Sequence, residues 1–138
     1  MKEAANVSQK PKVLLLDDDV FHRGLLAEGL EDYYDLDVTR VDTLAAAQEA
    51  IEKVRPDLLL LDLVVGDDRL EVLQWVKDLR RDGPFKNIPV LFVTAYFKEM
   101  EEHVRGLEGT AILEKPFKLE HVTNKIQKLL SRAREMAV

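Results

Sequence analysis

The chain has 138 residues, 46% of them apolar and 33% charged, with a formal net charge of −6 and no cysteine. That length suits a single domain with a sizeable core, and the acidic balance argues against a nucleic-acid surface on it. The missing cysteines exclude disulfides, thiolate chemistry and Cys-ligated zinc. No apolar run reaches the roughly 20 residues of a membrane span, and Met1–Pro11 contains no apolar core of a secretory signal. A soluble cytoplasmic protein with no membrane contact is expected.

Residues 1–11 read as a flexible tail. Lys12–Leu16 is an apolar strand, and Asp17-Asp18-Asp19 lead from it into a helix from about Phe21 to Tyr33, with Phe21, Leu25 and Leu30 set on one side. Leu36–Val41 alternates only in part, as an edge strand does. Thr43 is placed to cap a second helix in which Leu44, Ala47, Ile51 and Val54 recur at helical spacing. After Pro56, the run Asp57-Leu58-Leu59-Leu60-Leu61 reads as a strand buried on both faces, with Asp62 at its exit. Val64–Arg69 is a loop. Leu70, Leu73, Val76 and Leu79 mark a third helix, which Asp82-Gly83-Pro84 breaks. Pro89–Val93 is a fourth strand ending at Thr94, followed by a short polar helix over about Lys98–Arg105 and a brief strand at Ala111–Leu113. Glu114-Lys115-Pro116-Phe117 forms a turn. The last helix carries Leu119, Val122, Ile126, Leu129 and Ala133 on one face and Lys118, Lys125, Lys128 and Arg132 on the other. Residues 12–131 make one domain, and 132–138 are a helix end or a linker. Five strand–helix alternations joined by right-handed crossovers give an α/β fold: a parallel, doubly wound sheet with helices on both sides.

In such sheets ligands bind beyond the carboxyl ends of the strands. Singly, the polar residues there have bland readings. Asp17–Asp19 serve as helix caps, Asp62 as a turn former, Thr94 as a cap or strand residue, and Lys115 as a solvated lysine. His22, His103 and His121 share no metal-ligand spacing and read as surface or helix-flank residues, and Trp75 reads as packing. Their joint placement is more informative: paired acids, one acid, one hydroxyl and one lysine leave the first, third, fourth and fifth strands on the same rim. Clustered carboxylates repel one another unless a hard cation is held between them. With a hydroxyl and a lysine beside them, the set suits phosphoryl transfer to a carboxylate.

On these residues the chain resembles a response-regulator receiver domain, over about Lys12 to Leu130. The matching features are Asp17-Asp18, Asp62, Thr94-Ala95 and Lys115-Pro116-Phe117. The resemblance implies a flavodoxin-like sheet of five strands in the order 2-1-3-4-5, flanked by five helices. It implies that Asp62 accepts phosphate from a histidine kinase or phosphotransfer protein. Mg²⁺ would be bound by Asp18, Asp62 and the Val64 backbone carbonyl, with Asp17 acting through water. Lys115 and Thr94 would hold the phosphoryl group, and the Lys115–Pro116 peptide would be cis. Such a domain is a signalling module rather than a turnover enzyme. It acts on a downstream protein through the face of its fourth helix, fifth strand and fifth helix, with a homodimer as one further option.

The chain departs from the family pattern in three places. Val65-Gly66 and Arg69-Leu70 stand where many members have Met-Pro and Asp-Gly; apolar Val64 lies two residues after Asp62; and Ile112 replaces the usual aromatic three residues before the lysine. The loop and Ile112 motivate an alternative, a pseudo-receiver that binds partners without phosphorylation, against which stands the presence of all five core residues. A haloacid-dehalogenase-type phosphohydrolase is a third reading, since Asp17-x-Asp19 resembles its motif. Phe21, where that family has Thr or Val, and the lack of room for a cap domain argue against it.

Overall fold

The computed structural model describes residues 10–137. The expected tail therefore lies almost wholly outside the described residues. The strands are β1 (Lys12–Leu16), β2 (Asp37–Val41), β3 (Leu58–Asp62), β4 (Val90–Thr94) and β5 (Thr110–Glu114). The helices are α1 (Val20–Tyr34), α2 (Leu44–Val54), α3 (Glu71–Arg81), α4 (Phe97–Val104) and α5 (Leu119–Ala137). All strand pairs are parallel and the order is β2-β1-β3-β4-β5, as expected. The last helix takes in most of the residues expected as a helix end or linker.

Side chains alternate along each strand, so each central strand feeds two cores. Val13 and Leu15 of β1, Leu58 and Leu60 of β3, and Leu91 and Val93 of β4 pack with Leu26, Ala27 and Leu30 of α1 and with Val122, Ile126 and Leu129 of α5. Leu14, Leu16, Leu59, Leu61, Val90 and Phe92 pack on the other face, against Ala47 and Ile51 of α2, Val72, Leu73 and Val76 of α3, and Met100 and Val104 of α4. Every residue of β3 and β4 is buried, whereas β2 shows the mixed burial of an edge. Thr43 caps α2 by accepting a hydrogen bond from the Ala46 N–H, and Trp75 packs into the core.

One helix face differs from expectation. Leu26, Ala27 and Leu30 are the buried residues of α1, while Phe21 and Leu25 are 74% and 58% exposed. At 3.6 residues per turn, Phe21 lies about half a turn around the helix from Leu30, so the two cannot share a face. The true core stripe is the i, i+1, i+4 set 26, 27 and 30. Gly29 also sits on this side, where an added Cβ would come within 2.8 Å of the Leu119 side chain. Its missing side chain lets α1 and α5 approach closely.

Candidate functional site

Four strand ends build the site. β1 ends at Leu16, and the chain then lays down Asp17, Asp18 and Asp19 before α1 begins. Asp19 is the cap of α1, its carboxylate accepting from the N–H groups of Phe21 and His22. The two acids before it take no part in that cap. β3 ends on Asp62 itself, which register pairs with Val93 of β4, one residue before Thr94. The Lys115 N–H donates to the Thr94 carbonyl at 2.9 Å and holds the end of β5 beside β4. The Lys115–Pro116 bond is cis, as the resemblance implied.

This placement brings the acids and the lysine together. One carboxylate oxygen from each of Asp17, Asp18 and Asp62 lies within 4.8 Å of the others. Asp17 is fully buried, Asp62 is 6% exposed and Asp18 faces solvent. Lys115 Nζ donates to Asp62 Oδ2 at 2.8 Å and lies 3.9 Å from Asp17 Oδ2. The second oxygen of Asp62 accepts from the Val64 N–H at 3.1 Å, and Asp18 Oδ2 accepts from the Gly66 N–H at 3.3 Å. Three converging carboxylate oxygens fit a hard dication. Magnesium takes oxygen ligands, carboxylates among them, so the donor set suits it.

Burial pushes the Asp62 carboxyl above its ordinary range; the hydrogen bond and charge of Lys115 and the Val64 N–H oppose the rise, and the negative charge of Asp17 adds to it. A carboxyl that binds its proton more tightly folded than unfolded favours the folded state most below its unfolded value. That contribution is lost as pH rises through the folded value. At neutral pH the ionised Asp62 is therefore a net cost to the metal-free fold. We predict that Asp62→Asn raises the denaturation midpoint of metal-free protein at neutral pH. The gain should shrink as pH falls below the raised value. A variant less stable than the parent at neutral pH would contradict this account.

Thr94 is buried, and its hydroxyl oxygen accepts from the Tyr96 N–H at 2.9 Å. Among the described residues nothing accepts its proton, which leaves it available to donate. Val64 is half-buried beside the acids. Asp17, Asp18, Asp62, Val64, Thr94 and Lys115 thus lie on the strand-exit rim, with the three acids clustered and Lys115 within reach of Asp17 and Asp62.

The sequence reading missed His22. Its Nδ1 donates to Asp17 Oδ2, and its ring meets that of Phe117 edge-on, with centroids 5.5 Å apart. Arg23 also belongs here, since its guanidinium donates to the Asp17 carbonyl at 2.7 Å. The available signal was position: both residues lie in the first turn of α1, directly after the acids. Arg69 was read only as a departure in a loop. Its guanidinium lies 4.2 Å from the centre of the Tyr96 ring and pairs with Glu99, so it ties the loop after β3 to the start of α4.

A family model described as "Response regulator receiver domain" matches residues 13–127. Among curated relatives, the "DNA-binding dual master transcriptional regulator RpaA" of Synechocystis is 31% identical over 125 residues, covering 88% of this chain and 50% of that protein. The phosphate regulon transcriptional regulatory protein PhoB of Escherichia coli is 30% identical over 129 residues, covering 92% of this chain and 55% of that protein. The chain thus spans about half the length of these regulators. Among solved structures, a sensor protein from Polaromonas superposes with a TM-score of 0.80 at 23% identity, covering 91% of this chain and 99% of that one.

Proposed function

The chain belongs to the response regulator receiver domain family of two-component signalling, and from that premise we propose that Asp62 accepts a phosphoryl group from a histidine kinase or phosphotransfer protein, with Mg²⁺ bound. The observation that carries the proposal is the pairing of Lys115 with Asp62, one of three converging carboxylates. A carboxylate oxygen of Asp62 attacks phosphorus, and the phosphorus–nitrogen bond of the donor phosphohistidine breaks. The leaving imidazole keeps the bonding pair and is reprotonated from water. Bound Mg²⁺ supplies charge neutralisation for the acids and the incoming phosphoryl oxygens. Asp18, Asp62 and the Val64 carbonyl would hold it directly and Asp17 through water. Lys115 passes from the Asp62 carboxylate to a phosphoryl oxygen, and Thr94 donates its free hydroxyl proton to another. The chain's work is positioning and electrostatics rather than turnover.

A protein donor needs a place to dock. Val20, Phe21 and Leu25, at 73%, 74% and 58% exposure, lie on the first turns of α1, next to the acids. We assign the donor to this apolar surface and the protein to the cytoplasm. Nucleic-acid binding, where it occurs in relatives such as RpaA, is not assigned to this domain.

Beryllofluoride, which mimics the acyl phosphate, tests the reading. With Mg²⁺ it should produce a saturable change in the amide spectrum centred on Asp62, and without Mg²⁺ none. No response in either condition would favour a phosphorylation-independent binding module. Hydrolysis of the phosphate needs a water in line with phosphorus. Apolar Val64 offers that water no hydrogen bond, so Val64→Asn is expected to shorten the lifetime of the acyl phosphate. An equal or longer lifetime would remove Val64 from the account.

The output is read through α4, β5 and α5. Ile112 is half-buried and packs against the core cluster that includes Met100 and Val104 of α4. β-branching restricts its rotamers, so it does not reproduce an aromatic ring's swing. Thr94 is tied to the Tyr96 backbone, so its movement toward a phosphoryl oxygen pulls the 94–97 loop with it. Methyl and amide NMR with beryllofluoride should show that loop shifting while Ile112 keeps its rotamer. A rotamer change at Ile112 beside an unmoved loop is the contrary result.

A further inference from the structure

We propose that His22 is a positioning residue: by donating to Asp17, it leaves Lys115 to Asp62. The site holds two buried carboxylates, Asp17 and Asp62, and one lysine that can reach both. Asp17 Oδ1 is taken by the Asp19 N–H at 2.9 Å, and Asp17 Oδ2 accepts from His22 Nδ1. Lys115 stands 3.9 Å from that same Oδ2 but 2.8 Å from Asp62. A lysine is a compact charge on a flexible stem, and it settles on a buried carboxylate oxygen that has no other donor. With Asp17 Oδ2 supplied by His22, that oxygen is Asp62 Oδ2, since the Val64 N–H serves Asp62 Oδ1. The imidazole is held from two sides. Its backbone N–H is fixed by the Asp19 cap, and its ring rests edge-on against Phe117, two residues after Lys115. Nothing about an isolated histidine at this spacing predicts the role; it follows from the shared Oδ2.

The consequence for function rests on Asp62 being the acceptor, because Lys115 must meet the phosphoryl group there. The test does not. In metal-free protein, the ε-methylene NMR signal of Lys115 reports which carboxylate it pairs with. In His22→Leu that signal is expected to move, and adding Asp17→Asn should return it toward its parent position. In His22→Asn the side-chain amide nitrogen occupies the place of Nδ1, and the parent signal should be restored. His22→Gln, whose nitrogen reaches the place of Nε2, should behave like His22→Leu, and it serves the same comparison if the leucine variant does not fold. Phosphorylation by a small phosphodonor should slow roughly tenfold in His22→Leu, the size of effect typical of an outer-shell partner, and recover in His22→Asn. An unmoved Lys115 signal in folded His22→Leu or His22→Gln would overturn the proposal. So would rescue by Gln and not by Asn. A parent protein that takes no phosphate would sink the phosphorylation reading and leave the Lys115 result standing.

Discussion

In the Asp62→Asn variant, incubation with Mg²⁺ and a small phosphodonor is expected to leave the protein without acyl phosphate. A carboxamide has no anionic oxygen to attack phosphorus, and it cannot form the charge-assisted bond that Lys115 makes with Asp62 Oδ2 at 2.8 Å. No neighbouring acid can take over. Asp17 is fully buried and held by Asp19, His22 and, more distantly, Lys115, while Asp18 has no lysine within ion-pair distance among the described residues. The assay is a labelling time course on parent and variant. Labelling of the variant at the parent rate would place the acceptor elsewhere.

Asp18→Ala is expected to remove most Mg²⁺ binding. Asp18 is the exposed member of the cluster, so it is the carboxylate that a hydrated ion meets first. Among the described residues only the Gly66 N–H donates to it. Magnesium keeps several waters and few protein ligands, so losing one of two direct carboxylates leaves little to hold it. At ten times the dissociation constant, the ion stabilises the parent by about 1.4 kcal/mol. The variant should gain close to nothing at the same concentration. Calorimetric titration and the Mg²⁺ dependence of thermal unfolding measure this from two sides. Parent-like affinity in Asp18→Ala would show that the ion sits elsewhere.

The sheet was legible because its code is repetitive. The apolar runs at 13–16, 58–61 and 90–93 have no polar break, and each is followed by the residue that the site uses. A strand exit is a fixed point of the fold, so residue type and position together located Asp17, Asp18, Asp62, Thr94 and Lys115. The face of α1 was less legible. Val20, Phe21 and Leu25 are apolar yet exposed, so composition alone pointed to the wrong stripe. Small residues, Ala27 and Gly29, mark the true one, and hydrophobicity gives them little weight. His22 was hidden for a different reason. Its partner, Asp17, is close in sequence, but the shared use of one carboxylate oxygen with Lys115 depends on β1 and β5 both flanking the central strands. Arg69 and Tyr96 meet across loops 27 residues apart in sequence, a contact that no local pattern encodes.

The central claim is that Asp62 is the group that receives phosphate. The most direct measurement incubates the parent protein with a small phosphodonor, with and without Mg²⁺, traps the acyl phosphate by borohydride reduction and maps the modified residue by peptide mass. The account predicts one modified site, at Asp62, formed only when Mg²⁺ is present. Modification at any other residue, or none with Mg²⁺ in excess, would contradict it.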